Sequence, residues 1–149
     1  MAEVRKCVVR WQAPAPPDAG REYLEYTATA RSAEEVFAVI AQAEREVFDR
    51  WGVVSAVCLD DPSGECLYAG AAGDRWSLYY LRMPDAGVEL FARSVADPAA
   101  TGTTEVIEEM GSSVANSHFV PRALAQDAVR EWLRSKSLWA GIEWHSESA

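Results

Sequence analysis

Apolar residues recur at helical spacing in two segments of this chain of 149 residues. In the first segment, Ser32 and Glu35 have the spacing of a capping box, and Gly52 stands where helices commonly end. The apolar face of this predicted helix is formed by Val36, Ile40, Ala43, Val47 and Trp51. Steps of three and four residues between these positions predict an amphipathic helix packed on a core.

A second helix is predicted to begin near Pro121, because the N–H that proline lacks would have no partner in a first helical turn. Its predicted buried side is formed by Leu124, Ala125, Ala128, Val129, Trp132 and Leu133. After a short spacer, Ile142 and Trp144 flank a polar residue and predict a closing strand. The end of the sequence therefore predicts a helix that leads into a strand.

The rest of the chain is rich in β-branched and aromatic residues bounded by turn signals, which is typical of strands. Strands are predicted at about 4–11, 23–29, 53–59, 66–69, 76–83, 88–94 and 103–109. The strand at 53–59 is apolar on both faces, which predicts a central position in a sheet. Gly111 and the two serines after it are predicted to break the strand that precedes them.

Short turns between successive strands favour antiparallel pairing, and two helices far apart in sequence favour packing on one face. The predicted fold class is therefore α+β, with a mainly antiparallel sheet of about five to seven strands and two main helices packed on one face. A single domain is predicted over 1–149. Residues 1–20, with a proline-rich loop at 13–20, are predicted to be an N-terminal extension.

One predicted strand carries aromatic residues on both of its faces. Trp76 and Tyr80 point to one face and Tyr79 to the other, because side chains alternate along a strand. At least one ring is therefore expected to face away from the helices. Two interpretations stay open: this outer face packs under the N-terminal strand or a loop, or Trp76 and Tyr79 contact a binding partner.

The composition is ordinary for a globular domain, with 49% hydrophobic and 25% charged residues. No apolar run approaches about 18 residues and the first residues do not form a secretory signal, so we expect a cytoplasmic protein without a membrane partner. Cys7, Cys58 and Cys66 are expected to be buried thiols, although Cys58 and Cys66 could face each other across a hairpin. Metal ligands would be scattered, so no metal or cofactor is expected.

The net charge of −9 is concentrated in two stretches, 51–74 and 94–121, which contain eight acids and neither lysine nor arginine. The acids that we single out are Asp60, Asp61 and Glu65 in the first stretch and Glu105, Glu108 and Glu109 in the second. A solvated surface is the simplest interpretation. If both stretches share one face, that face would attract a basic partner and repel nucleic acid.

We predict a protein without catalytic residues. The chain has no G-x-S-x-G motif for a serine nucleophile. Glu108 and Glu109 are adjacent on a predicted strand, so their carboxylates would point to opposite faces and could not share a site. Two alternatives stay open: a small ligand-binding domain or enzyme with a pocket between sheet and helices, and a self-associating structural protein.

The order of these elements resembles the first-numbered family of immunity proteins from bacterial polymorphic toxin systems, which are often paired with deaminase toxins. The resemblance covers roughly 21–145, and its most specific part runs from Val120-Pro through Trp132-Leu to Ile142-Glu-Trp144. The segment 137–141 departs from the family, which often has a glycine–proline element there.

This resemblance implies an antidote that binds a cognate toxin domain and occludes its basic active-site cleft. The toxin would be a deaminase or nuclease that acts on nucleic acid, and carboxylates of the antidote would take the place of phosphates. The residues expected to contact the partner are Asp60, Asp61, Glu65, Glu105, Glu108, Glu109, Trp76 and Tyr79.

Overall fold

A computed structural model describes residues 7–82, 90–108 and 111–148. Its strands are β1 (Cys7–Pro14), β2 (Tyr23–Ala30), β3 (Val54–Asp60), β4 (Glu65–Ala72), β5 (Arg75–Arg82), β6 (Leu90–Val95), β7 (Thr103–Glu108), β8 (Gly111–Ala115), β9 (Phe119–Pro121) and β10 (Glu143–Ser148). Its helices are α1 (Ala33–Ala43), α2 (Asp49–Trp51) and α3 (Arg122–Ser135). A π-helical segment (Glu44–Phe48) joins α1 to α2, so these form one continuous first helix.

The sheet is mainly antiparallel, in the order β10-β6-β5-β4-β3-β1-β2. Strand β9 also pairs with β5, β7 pairs in parallel with β3, and β8 pairs with β7. The described residues form ten strands, so the predicted number of five to seven is wrong. Gly111–Ser113 does not merely break a strand: it begins β8 and folds the chain back along β7.

Strand β1 lies inside the sheet, between β2 and β3. The sequence set residues 1–20 apart from the body of the domain, but residues 7–14 are paired on both sides. The predicted strand positions 4–6, 83, 88–89 and 109 lie outside the described residues. Strand β3 is buried along nearly its whole length, as its apolar sequence predicts.

The first helix begins at the predicted capping residues. The Ser32 hydroxyl accepts the Glu35 backbone N–H at 3.1 Å, and the Glu35 carboxylate accepts the backbone N–H of Arg31. The helix ends at Gly52, whose φ of 76° is a left-handed conformation that glycine adopts without a steric penalty. Both predicted ends of this helix are therefore confirmed.

The predicted burial of Trp51 is wrong, since this side chain is 54% exposed. The π-helical segment places an additional residue in one helical turn, which rotates the positions after it around the helix axis. Val47 stays in the core, while Trp51 points into solvent. The sequence pattern assumes a regular α-helix and does not detect this rotation.

Helix α3 begins directly after Pro121, as predicted. Its buried residues are Ala125, Ala128, Val129, Trp132 and Leu133. Leu124 was also predicted to be buried, but it is 38% exposed at the edge of the apolar stripe. Among the described residues, no helix is both long enough and apolar enough to span a bilayer.

Apolar side chains are buried on both faces of the sheet. On the helix side, Val36, Ile40 and Trp132 are each at most 1% exposed and fill the space against the sheet. On the opposite side, Val106 of β7 and Val114 of β8 belong to a second buried cluster. Strands β7 and β8 therefore contribute to the buried layer on the outer face of the sheet.

Candidate protein-binding surface

The three acids of the β3–β4 turn have partners inside the chain. Arg10 Nε lies 2.7 Å from Asp60 Oδ2, and Lys136 Nζ lies 3.2 Å from Asp61 Oδ1. The Tyr80 hydroxyl donates to Glu65 Oε1 at 2.9 Å. The structure thus brings these three acids together, and each carboxylate already has a partner within the chain.

Asp61 is the most deeply placed of the three, at 8% exposure. Burial alone would raise the pKa of its carboxyl, but hydrogen bonds from the Ser63 hydroxyl and backbone N–H and the ammonium of Lys136 outweigh that cost. The net effect is a lowered pKa for Asp61. This carboxylate is therefore a structural anion, and Lys136, which the sequence did not single out, is its counter-ion.

The second acidic stretch lies elsewhere along the sheet. Val54 pairs with Val106 in the parallel register of β3 and β7, so Glu105 lies opposite residue 53. Asp60 is seven positions further along β3, a separation of about 23 Å along the strand. Glu105 is exposed, Glu108 ends β7, and Glu109 lies outside the described residues. Among the described residues, Glu105 therefore lies far from the acids of the β3–β4 turn along the sheet.

Trp76 and Tyr79 are core residues, at 4% and 7% exposure. The Trp76 ring meets Phe37 edge-on at 6.0 Å, while the Arg93 guanidinium lies 4.1 Å from the centre of the Tyr79 ring. They belong to different buried clusters on the two faces of β5. The alternation along β5 is confirmed, but both rings are covered, so neither is carried into the candidate surface.

The three cysteines are unbridged and buried. Sulfur and oxygen atoms of Cys58, Asp60 and Cys66 lie within 4.8 Å of one another, a grouping that the sequence interpretation of scattered ligands missed. A hydrogen bond from Cys58 lowers the pKa of the Cys66 thiol and raises that of Cys58 itself. The Arg10 guanidinium, 3.6 Å from Cys58 Sγ, already supplies a cation to this group.

Strand β2, at the end of the strand order, is open to solvent along most of its length, and only its last residue, Ala30, is buried. Tyr23 is 39% and Tyr26 40% exposed, although the Tyr26 ring stacks on Trp11 with centroids 4.4 Å apart. Tyrosine and tryptophan are enriched among the residues that contribute most to protein binding.

A groove of about 450 Å³ lies beside this strand. Its lining residues are Ala13, Pro14, Ala15, Pro16, Pro17, Leu24, Tyr26, Glu46, Arg50 and Trp51. The rotation in the π-helical segment is what brings Trp51 to this groove, because a regular helix would have turned that ring inward. The proline-rich segment and Trp51 thus meet at one surface, which we call the β2 surface. It comprises β2, residues 13–22 (the end of β1 and the loop after it) and the helix end at 46–51.

This geometry defines a small α+β domain with an open aromatic edge. Comparisons with known proteins do not assign this domain to a family, since no family model and no curated protein matches the chain. A solved structure similar to it is the crystal structure of a hypothetical protein from Neisseria gonorrhoeae. The two chains are 11% identical, with 92% of this chain and 93% of that chain covered and a TM-score of 0.48.

Proposed function

We propose that this chain is a non-catalytic inhibitor of the immunity-protein type. It binds a cognate toxin domain one-to-one, and by doing so covers the basic cleft in which a deaminase or nuclease acts on nucleic acid. The observation that carries the proposal is the β2 surface, where Tyr26 and Trp51 line a groove together with prolines, and Tyr23 is exposed on the other face of the same strand.

Aromatic residues support binding because they supply a large apolar contact area at a small cost in conformational entropy. The net charge of −9 adds long-range attraction toward a basic partner. The residue types and the charge both suit a protein partner with a positively charged cleft.

The binding site in this proposal differs from the one that the sequence suggested. Asp60 and Asp61 are neutralised by Arg10 and Lys136, so reversing them would disturb the fold before it disturbed a complex. We place the contact at the β2 surface instead. The alternative function requires a ligand pocket between the sheet and the helices. That space is filled by side chains of at most 1% exposure, including Ile40 and Trp132.

The test is co-expression with the product of the neighbouring upstream gene, scoring rescue of growth and co-purification at a one-to-one ratio. The double variant Tyr23→Ala/Trp51→Ala should stay folded and lose protection, with an increase in Kd of about thirtyfold or more, as removal of interface aromatics commonly causes. Leu124→Ala is the matched control, because Leu124 is an exposed apolar residue (38%) on another element. Equal protection by both variants would contradict the proposed site, and failure to rescue or bind would contradict the function.

A further inference from the structure

We infer that the partner is held by strand addition: an extended, basic segment pairs with the free edge of β2 and becomes an eleventh strand of the sheet. This inference rests on the proposed function, because it specifies how the partner protein of that proposal is bound. It commits to a segment of the partner rather than to a second copy of this chain.

The free edge of β2 spans eight residues. Strand β1 pairs with β2 along its full length, from Cys7 opposite Ala30 to Pro14 opposite Tyr23. On the other side, β2 ends the strand order, with no strand partner among the described residues. Because an antiparallel strand directs alternate residues to each side, about four residues point both N–H and C=O outward. Such a row is a template for another strand.

The two ends of the sheet differ in how well they are protected. At one end, β10 carries Glu143 and His145 at alternate positions, and ionisable side chains on an edge disfavour the approach of another strand. At the other end, β2 has a single carboxylate, Glu25, among eight residues. It contains no proline, lysine or arginine. Of these two ends, β2 is therefore the less protected edge.

Charge selects the occupant of this edge. Glu25 is exposed and is the one charged residue within β2; Arg21 and Glu22 stand just before the strand and Arg31 just after it, on a chain of net charge −9. A segment with lysine or arginine opposite Glu25 gains attraction, whereas a second copy places another Glu25 edge at the contact and carries the same net negative charge. Tyr23 and Tyr26 point to opposite faces of the strand, so they contact alternate side chains of the added segment and provide specificity.

The first measurement is hydrogen–deuterium exchange of the β2 amides, in the free chain and in the co-purified complex. Strand addition should slow exchange of the outward amides of residues 23–30 by at least about tenfold. A stable one-to-one complex with unchanged exchange in β2 would overturn strand addition and leave the proposed function standing. Protection of β2 in a dimer of this chain alone would overturn the basic partner as occupant, and absence of any complex would overturn both proposals.

Proline substitution supplies the second measurement. Of the adjacent positions Thr27 and Ala28, one has its N–H directed to β1 and the other outward, so Thr27→Pro and Ala28→Pro should differ in thermal stability. The variant whose melting temperature is unchanged is the one in which proline replaces an outward N–H donor. This variant should weaken partner binding by roughly tenfold. Thr27→Val keeps the N–H and should bind as the unmodified chain does. Tight binding by the folded proline variant would overturn the inference.

Discussion

At the scale of single residues, the carboxylate of Asp61 joins the β3–β4 turn to the end of α3. It accepts hydrogen bonds from Ser63 and pairs with Lys136, whose ammonium also lies 4.1 Å from the centre of the Trp132 ring. Lys136 adopts a left-handed φ of 58° just beyond α3, so its backbone closes the helix while its side chain reaches the turn. One ion pair therefore fixes a turn against a helix that lies 75 residues away in sequence.

Asp61→Asn should lower the free energy of unfolding by about 1–3 kcal/mol at pH 7, because it leaves a partly buried ammonium without its counter-ion. The pKa of Asp61 is lowered in the folded chain, so its contribution is present above its ordinary value of 3.8 and is lost as the pH falls through the folded pKa. The difference between the two proteins, measured by chemical denaturation, should therefore shrink below about pH 4.

Asp60→Asn is the matched control for this prediction. In its ion pair with Arg10, the Arg10 side chain is 29% exposed and the Asp60 side chain 35%. Solvent therefore screens the pair, and the expected loss in the free energy of unfolding is about 0–1 kcal/mol. Equal losses for the two variants at pH 7 would show that burial does not distinguish these neighbouring carboxylates.

The site residues show what sequence alone can supply. The turn and its acids were predicted from local residue types, and Asp61, Ser63 and Gly64 form that turn. The counter-ions of Asp60 and Asp61 were not predicted, because Arg10 and Lys136 reach these carboxylates only through tertiary contacts. The exposed aromatics were also missed: Trp51 was assigned to the core by a regular helical period, and nothing local marks β2 as an edge.

At the scale of elements, the sheet divides at two points. Along one edge of β3, residues 58–60 pair with β1 and residues 54–55 pair with β7. Along one edge of β5, residues 79–82 pair with β6 and residues 75–77 pair with β9. A buried serine stands at each division. Ser55 Oγ donates to the Gln12 carbonyl at 2.6 Å. Ser94 Oγ accepts the Leu78 N–H at 3.0 Å and donates to the His118 carbonyl at 2.8 Å.

Ser94→Ala should lower the free energy of unfolding by about 1–3 kcal/mol, because it leaves the Leu78 N–H buried without an acceptor. Ser55→Ala should cost less, since an unpaired carbonyl is better tolerated than an unpaired N–H. Ser113→Ala, on the exposed side of β8, should stay within about 0.5 kcal/mol. Denaturant unfolding checks the order of the three, and a Ser94 variant as stable as the Ser113 variant would contradict it.

These divisions also explain why the number of strands was underpredicted. Strand β3 and the first helix were predicted well, because apolar runs, a capping box and a terminal glycine are local signals. Strand β9 has only three residues and β8 begins with glycine, so neither carries such a signal. They form because β5 offers pairing positions to β9 and β7 offers them to β8, which only the assembled sheet provides.

At the scale of the whole molecule, the net charge of −9 should act mainly on the rate at which the proposed complex forms. Glu25 on β2 and Glu143 on β10 lie on the two outermost strands, and both are exposed. Six strand spacings separate them, about 29 Å measured along the sheet. Glu25→Gln and Glu143→Gln thus remove the same charge from opposite ends of the domain.

With the partner bound at β2, Glu25→Gln should slow association about two- to fivefold at an ionic strength of about 0.15 M, the effect of roughly 0.5–1 kcal/mol of lost attraction. Glu143→Gln should leave the rate unchanged there, because about 29 Å exceeds a screening length of about 8 Å. At about 0.01 M that length reaches about 30 Å, so both variants should slow association. Stopped-flow association rates over this salt range test the prediction. A larger effect of Glu143→Gln than of Glu25→Gln at the higher ionic strength would indicate an interface at the other end of the sheet.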